Sequence, residues 1–192
     1  MSESRTDVVL AASASLEGRG ILVEFSVHNG SKEPIYLLAH PGDFDRVRAR
    51  GGEAYVLYDE EERRIIVSLV PPDPPLEADF GVGVESLSRR LAPGADYSAV
   101  IPLGMPVRCW DPYRDVVPPI PIASPGGEMP ATDRIRFQTE WTPESGGELR
   151  QPGPDPDTWW FVGVGGGRLI QDLRLPHPVP VDLSPPDPTS SS

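Results

Sequence analysis

His40, Asp43 and Asp45 stand as H-x-x-D-x-D within the segment AHPGDFD. That spacing could set an imidazole and two carboxylates around a divalent cation. Such a site would make the chain a metal- or small-ligand-binding module, or a hydrolase. Aspartate is equally the ordinary residue of turns, where its side chain bonds nearby backbone. A calcium loop of the EF-hand kind needs a longer acidic series closed by a glutamate, which does not follow here. His28 and His177, the other two histidines, have no partner at metal spacing.

Gly163, Gly165, Gly166 and Gly167 resemble a phosphate loop only in composition. Arg168 stands where a dinucleotide fingerprint wants glycine, and no lysine followed by serine or threonine is present. The next residues, RLIQDLRL, read as a strand, whereas a phosphate loop needs a helix whose N-terminus meets the anion. The glycines therefore predict a hairpin turn between strands at 159–164 and 168–173. Cys109 is the only cysteine, which excludes an intramolecular disulfide and a cysteine-based zinc site. Without G-x-S-x-G or a histidine at a recognisable spacing, it reads as a small buried hydrophobe beside Trp110. No catalytic residue is assigned and no cofactor is expected.

Arg46, Arg48 and Arg50 alternate, so three guanidinium groups would leave one face of one strand. They could grip a carboxylate- or phosphate-bearing partner, or be balanced by Asp59, Glu60, Glu61 and Glu62 beyond the next strand. Trp159 and Trp160 are adjacent, so in a strand they point to opposite faces, and one is left exposed or covered by a loop. With Trp110 and Tyr113 they are the candidate aromatic anchors for a partner.

The elements that must carry these residues are strands. Ile21, Val23, Phe25 and Val27 alternate with mostly polar neighbours, and Asn29, Gly30 and Ser31 then turn the chain toward Pro34 and an apolar return over 35–38. Val8, Leu10, Ala12, Ala14 and Leu16 form a preceding strand, joined through Glu17 to Gly20 as a hairpin. Gly51 and Gly52 predict a hairpin between 46–50 and 53–58, and 64–70 returns as a further strand. The prolines of 71–75 imply an extended crossing where the chain changes sheets. The segment Ala92-Pro93-Gly94-Ala95-Asp96 turns between strands at 87–91 and 97–103, and Ile135, Phe137, Thr139 and Trp141 mark another strand.

There are 25 prolines in 192 residues, where average usage near 5% would place roughly ten, and this density excludes long helices. The net charge of −12 disfavours nucleic-acid or anionic-membrane partners, which attract through a basic field. Glu3 and Asp7 sit where a secretory leader wants positive charge, and the lone cysteine suits a reducing compartment, so a cytoplasmic location is expected. The expected organisation is a flexible start at 1–6, one domain over 7–175 with an irregular excursion near 104–133, and a disordered proline-rich tail at 176–192.

The order of features over about residues 8–103 resembles intracellular proteinase-inhibitor-type immunoglobulin-like domains. The resemblance rests on Val27, His28, Asn29, Gly30 and Ser31, on the return from Pro34 to Leu38, on Asp43 and Asp45, and on the turn Leu91, Ala92, Pro93, Gly94. It implies a two-sheet fold more than an inhibitory activity. The chain is thus expected to be all-β, an antiparallel immunoglobulin-like β-sandwich of about nine to eleven strands with long proline-rich loops. Its expected role is a non-enzymatic protein-interaction module working through loops or an edge strand, its partner another protein. The alternatives are the metal or small-ligand site above and a homo-oligomeric structural protein whose edges pair.

Overall fold

The computed structural model describes residues 7–40, 53–72, 87–109, 129–152, 158–163 and 166–184. Chain order gives β1 (Val8–Glu17), β2 (Gly20–Asn29), β3 (Ile35–His40), β4 (Tyr55–Asp59), β5 (Arg64–Ser68) and β6 (Leu87–Leu91). There follow β7 (Asp96–Gly104), β8 (Val107–Arg108), β9 (Ala131–Pro143), a 3-10 turn (Glu144–Gly146), β10 (Gly147–Pro152), β11 (Thr158–Gly163) and β12 (Gly167–Asp182). The protein is all-β, with twelve strands among the described residues rather than nine to eleven. The alternating residues made these strands legible, since burial follows the same two-residue period.

The strands form a three-stranded sheet, β1-β2-β7, and a nine-stranded sheet ordered β10-β11-β6-β3-β9-β12-β8, with β4 and β5 attached along β9. The two sheets face each other, an arrangement consistent with a β-sandwich. Phe25 of β2 stacks on Phe137 of β9 with centroids 4.6 Å apart, and meets Tyr97 of β7 edge-on at 5.9 Å. Ile21, Val23 and Val27 from β2 close over Ile35, Leu37, Ile65, Val67 and Ile135 in one buried cluster. Full burial of a side chain such as Phe137 stabilises by about 1.5–3 kcal/mol.

The hairpin of β1 and β2 forms as expected, with Glu17 opposite Gly20 and Gly18 at φ 58°, the left-handed region that glycine enters freely. The outer edge of β1 is occupied by a side chain. Gln171 of β12 accepts from the Ala12 N–H at 2.8 Å and donates to the Ala12 carbonyl at 2.9 Å, so its amide mimics a neighbouring strand.

Several connections differ from the sequence expectation. The turn at 30–34 and the turn at 92–95 each lead from one sheet to the other, because β2 and β7 belong to the small sheet and β3 and β6 to the large one. Asn29 fastens both crossings. Its backbone bonds Ala95 and Gly94, and its fully buried amide donates to the carbonyls of Glu33, Leu91 and Ala92 at 3.0–3.1 Å. Its Oδ1 accepts from the Ser31 N–H and hydroxyl. By contrast, β5 and β6 on either side of the proline stretch lie in the same sheet, so no change of sheet occurs there.

The glycines before Arg168 do not close a hairpin. β11 pairs with β10 and β6, while β12 pairs with β9 from Gly167↔Trp141 to Arg174↔Arg134. The thirteen-residue β9 offers a ladder that the six-residue β11 cannot, and it keeps Leu169 and Leu173 on the face of Thr139 and Ile135. The sheets are also not wholly antiparallel: β5 runs parallel to β9 and β8 parallel to β12. These partners lie far apart in sequence, so no tight turn constrains their direction.

The expected disordered tail is ordered over its first part, because β12 continues to Asp182. Val179 and Val181 are buried, opposite Thr132 and Val107, while Pro178 and Pro180 face outward. The run P-V-P-V alternates with strand period, and its prolines stand where side chains are exposed. Likewise the expected excursion at 104–133 holds β8 near its start and the beginning of β9 at Ala131.

Candidate functional site

Of the residues singled out in the sequence, Asp43, Asp45, Arg46, Arg48, Arg50, Trp110 and Tyr113 lie outside the described residues. His40 is half-buried at the end of β3, opposite Leu87. Among the described residues no group of three or more histidine, cysteine, aspartate or glutamate side chains could hold a metal ion. Cys109 is half-buried against the core, and its N–H donates to the Asp182 carbonyl at 3.3 Å.

Trp159 and Trp160 are both half-buried on β11. Residues directly opposite on paired strands face the same side. Trp160 stands opposite Leu87, and Thr158 opposite Arg89, whose guanidinium lies 5.1 Å over the Tyr97 ring of the small sheet. Trp160 therefore points to the side of the small sheet, and Trp159, opposite Ser88, points away. The Tyr97 hydroxyl is pushed up by burial, with the Arg89 cation acting against that shift. Among the described residues β11 and β10 follow β6 at one end of the large sheet, and β7 is the end strand of the small sheet.

The outer face of the large sheet carries a charged lattice that sequence reading did not assemble. Arg136 of β9 binds Asp172 of β12 through two bonds of 2.7 and 2.9 Å, and Arg168 faces Glu140 at 3.7 Å. Arg64 of β5 meets Asp59 of β4 at 2.9 Å, and Arg134 donates to the Glu62 carbonyl at 2.7 Å. Thr132 also donates, to the carbonyl of Arg63, so the β4–β5 turn with Arg63 at φ 51° is tied down on β9. The bond to Arg136 holds the Asp172 carboxyl below its ordinary value. The Glu62 N–H does the same for Asp59, helped by Arg64. Between these strands lies a cleft of about 240 Å³ lined by Arg64, Arg134, Ile135, Asp172, Leu173 and Arg174.

On the same sheet Glu144 of the 3-10 turn receives two bonds from Arg90, at 2.6 and 3.1 Å, and one from the Tyr36 hydroxyl at 3.3 Å. Arg90 holds the Glu144 carboxyl low, and burial raises the Tyr36 hydroxyl. The alternation of Arg134, Arg136, Gln138 and Glu140 was visible in the sequence. Their partners on β12 were not, since only the register brings Asp172 and Arg174 beside them.

Comparison with protein-family models, with curated proteins and with solved structures finds no match to this chain.

Proposed function

We propose that the chain is a non-enzymatic protein-interaction module of immunoglobulin-like type, acting in the cytoplasm on another protein. The observation that carries this reading is the pair Trp159 and Trp160, half-buried on opposite faces of β11 near one end of the large sheet. Tryptophan supplies a large apolar area with one N–H donor and few rotatable bonds, which is why it dominates interface energetics. Next to it, β10 ends the large sheet among the described residues, and such an edge is one to which an extended segment can add.

The test is an affinity capture from native lysate with wild-type, Trp159→Ala and Trp160→Ala baits, followed by titration of the captured partner. Truncating an anchoring tryptophan costs about 2 kcal/mol or more, roughly a thirtyfold loss of affinity. If both variants fold normally and bind each partner as tightly as wild type does, β11 is not the interface.

A further inference from the structure

Before the register shift that follows Arg174, four outward rows connect β9 and β12 on the outer face of the large sheet. Arg168 stands opposite Glu140, Ile170 opposite Gln138 and Asp172 opposite Arg136, but Arg174 stands opposite Arg134. Like charges directly opposite on paired strands destabilise a sheet. Two of the other rows on this face pair opposite charges, so the Arg134–Arg174 row is a local conflict in a chain whose net charge is −12. Conflicts of that kind between local rule and fold are expected where a site is built.

A third arginine lines the same cleft. Arg64 lines the cleft with Arg134 and Arg174, and its side chain is only 13% exposed, held by Asp59 at 2.9 Å. Arg134 spends two donors on Glu62, one on its carbonyl at 2.7 Å and one on its carboxylate at 3.4 Å, while Arg174 is looser, 3.6 Å from Asp133 with its side chain 74% exposed. Each guanidinium carries five N–H donors, so most of theirs remain available. Asp172, the carboxylate among the lining residues, has both oxygens committed to Arg136.

We propose that the cleft between Arg64, Arg134 and Arg174 binds a small tetrahedral oxyanion, as free phosphate or as the phosphate monoester of a larger ligand. The charge-assisted bonds of arginine to phosphate supply the attraction, and an anion between Arg134 and Arg174 turns their repulsion into a shared contact. Three cations arriving from three strands suit acceptor oxygens spread over a tetrahedron better than a planar carboxylate. At about 240 Å³ the cleft lies below the usual range of sites for drug-sized molecules, so it fits the anionic group itself.

The experiment is thermal unfolding and calorimetric titration of the full chain with inorganic phosphate and with phenyl phosphate, against chloride at matched ionic strength. Saturable stabilisation is expected from one or both ligands, since a ligand bound only by the folded state must raise its melting temperature. Equal response assigns the site to the free anion, and a stronger response to phenyl phosphate assigns it to the ester. Arg134→Gln and Arg174→Gln each weaken binding by about tenfold or more. Arg168→Gln, on the same face of β12 but outside the cleft, binds as wild type does. The absence of a saturable response to both ligands overturns the proposal, and so does an undiminished response in Arg134→Gln or Arg174→Gln.

Discussion

Replacing Asn29 removes the bond set that joins the two sheets at one end of the molecule. Its amide donates to three carbonyls, those of Glu33, Leu91 and Ala92, and its Oδ1 accepts two bonds from Ser31. In Asn29→Ala the Leu91 carbonyl, the fully buried member, is left without that donor, at a cost of about 1–3 kcal/mol. The remaining four bonds are part-buried and their groups reach water more easily, so at roughly 0.5 kcal/mol each, the low end of the usual range, they add about 2 kcal/mol. The expected loss is about 3–5 kcal/mol, a large share of the roughly 5–15 kcal/mol typical of a folded domain. It corresponds to a melting temperature lower by about 6–20 °C for a chain of this size. Asn29→Asp keeps the shape and the Ser31 contacts but points a carboxylate oxygen at three carbonyl oxygens. Its folded-state carboxyl is therefore harder to ionise than in the unfolded chain. The deficit against wild type is full at neutral pH and narrows as pH falls through the raised folded value toward about 4. Urea unfolding followed by tryptophan fluorescence, repeated across pH, measures both. A loss below about 1 kcal/mol for Asn29→Ala with an unchanged m-value would refute the role given to this residue.

Two further outcomes follow from close approach and from charge. A Cβ on Gly166 would overlap the Trp141 carbonyl oxygen and crowd the Thr142 backbone, so Gly166→Ala must shift β12 against β9 and lose about 3 kcal/mol or more. Gly104→Ala meets nothing within 4 Å and should stay within about 0.5 kcal/mol of wild type in the same melts. Equal stability of the two variants would mean that β12 is not seated as described. The acid limb of the stability profile is the second outcome. Asp59, Glu144 and Asp172 are held below their ordinary values, so their contribution is present above the unfolded value near 4 and is lost as pH falls through the folded one. These groups are solvent-screened, and each is worth less than about 1 kcal/mol. Asp172→Asn and Glu144→Gln should each flatten the fall of the urea midpoint below about pH 4. An unchanged slope would place the Arg136 and Arg90 pairs outside the populated structure in solution.

The strands themselves were readable because alternation is local: Ile21 to Val27 and Ile135 to Trp141 announce their buried faces without reference to any partner. The proline tail was misread for the converse reason. Proline frequency suggested disorder, although Val179 and Val181 already alternated with Pro178 and Pro180 at strand period. The glycines at 165–167 were equally readable as a turn, yet which strand the chain returned to depended on the length of β9 and on Gly166 lying against Trp141.

Sequence alone thus determined the all-β class, the β1–β2 hairpin and the inward faces, since these depend on residues within a few positions of one another. Only the tertiary structure decided that Asn29 ties two crossings, that β5 lies parallel beside β9, and that Arg64, Arg134 and Arg174 share one cleft. Those relations join residues tens of positions apart. Their pairing is chosen by which ladder buries the most apolar surface with every backbone group bonded, and no periodicity within a strand encodes that choice.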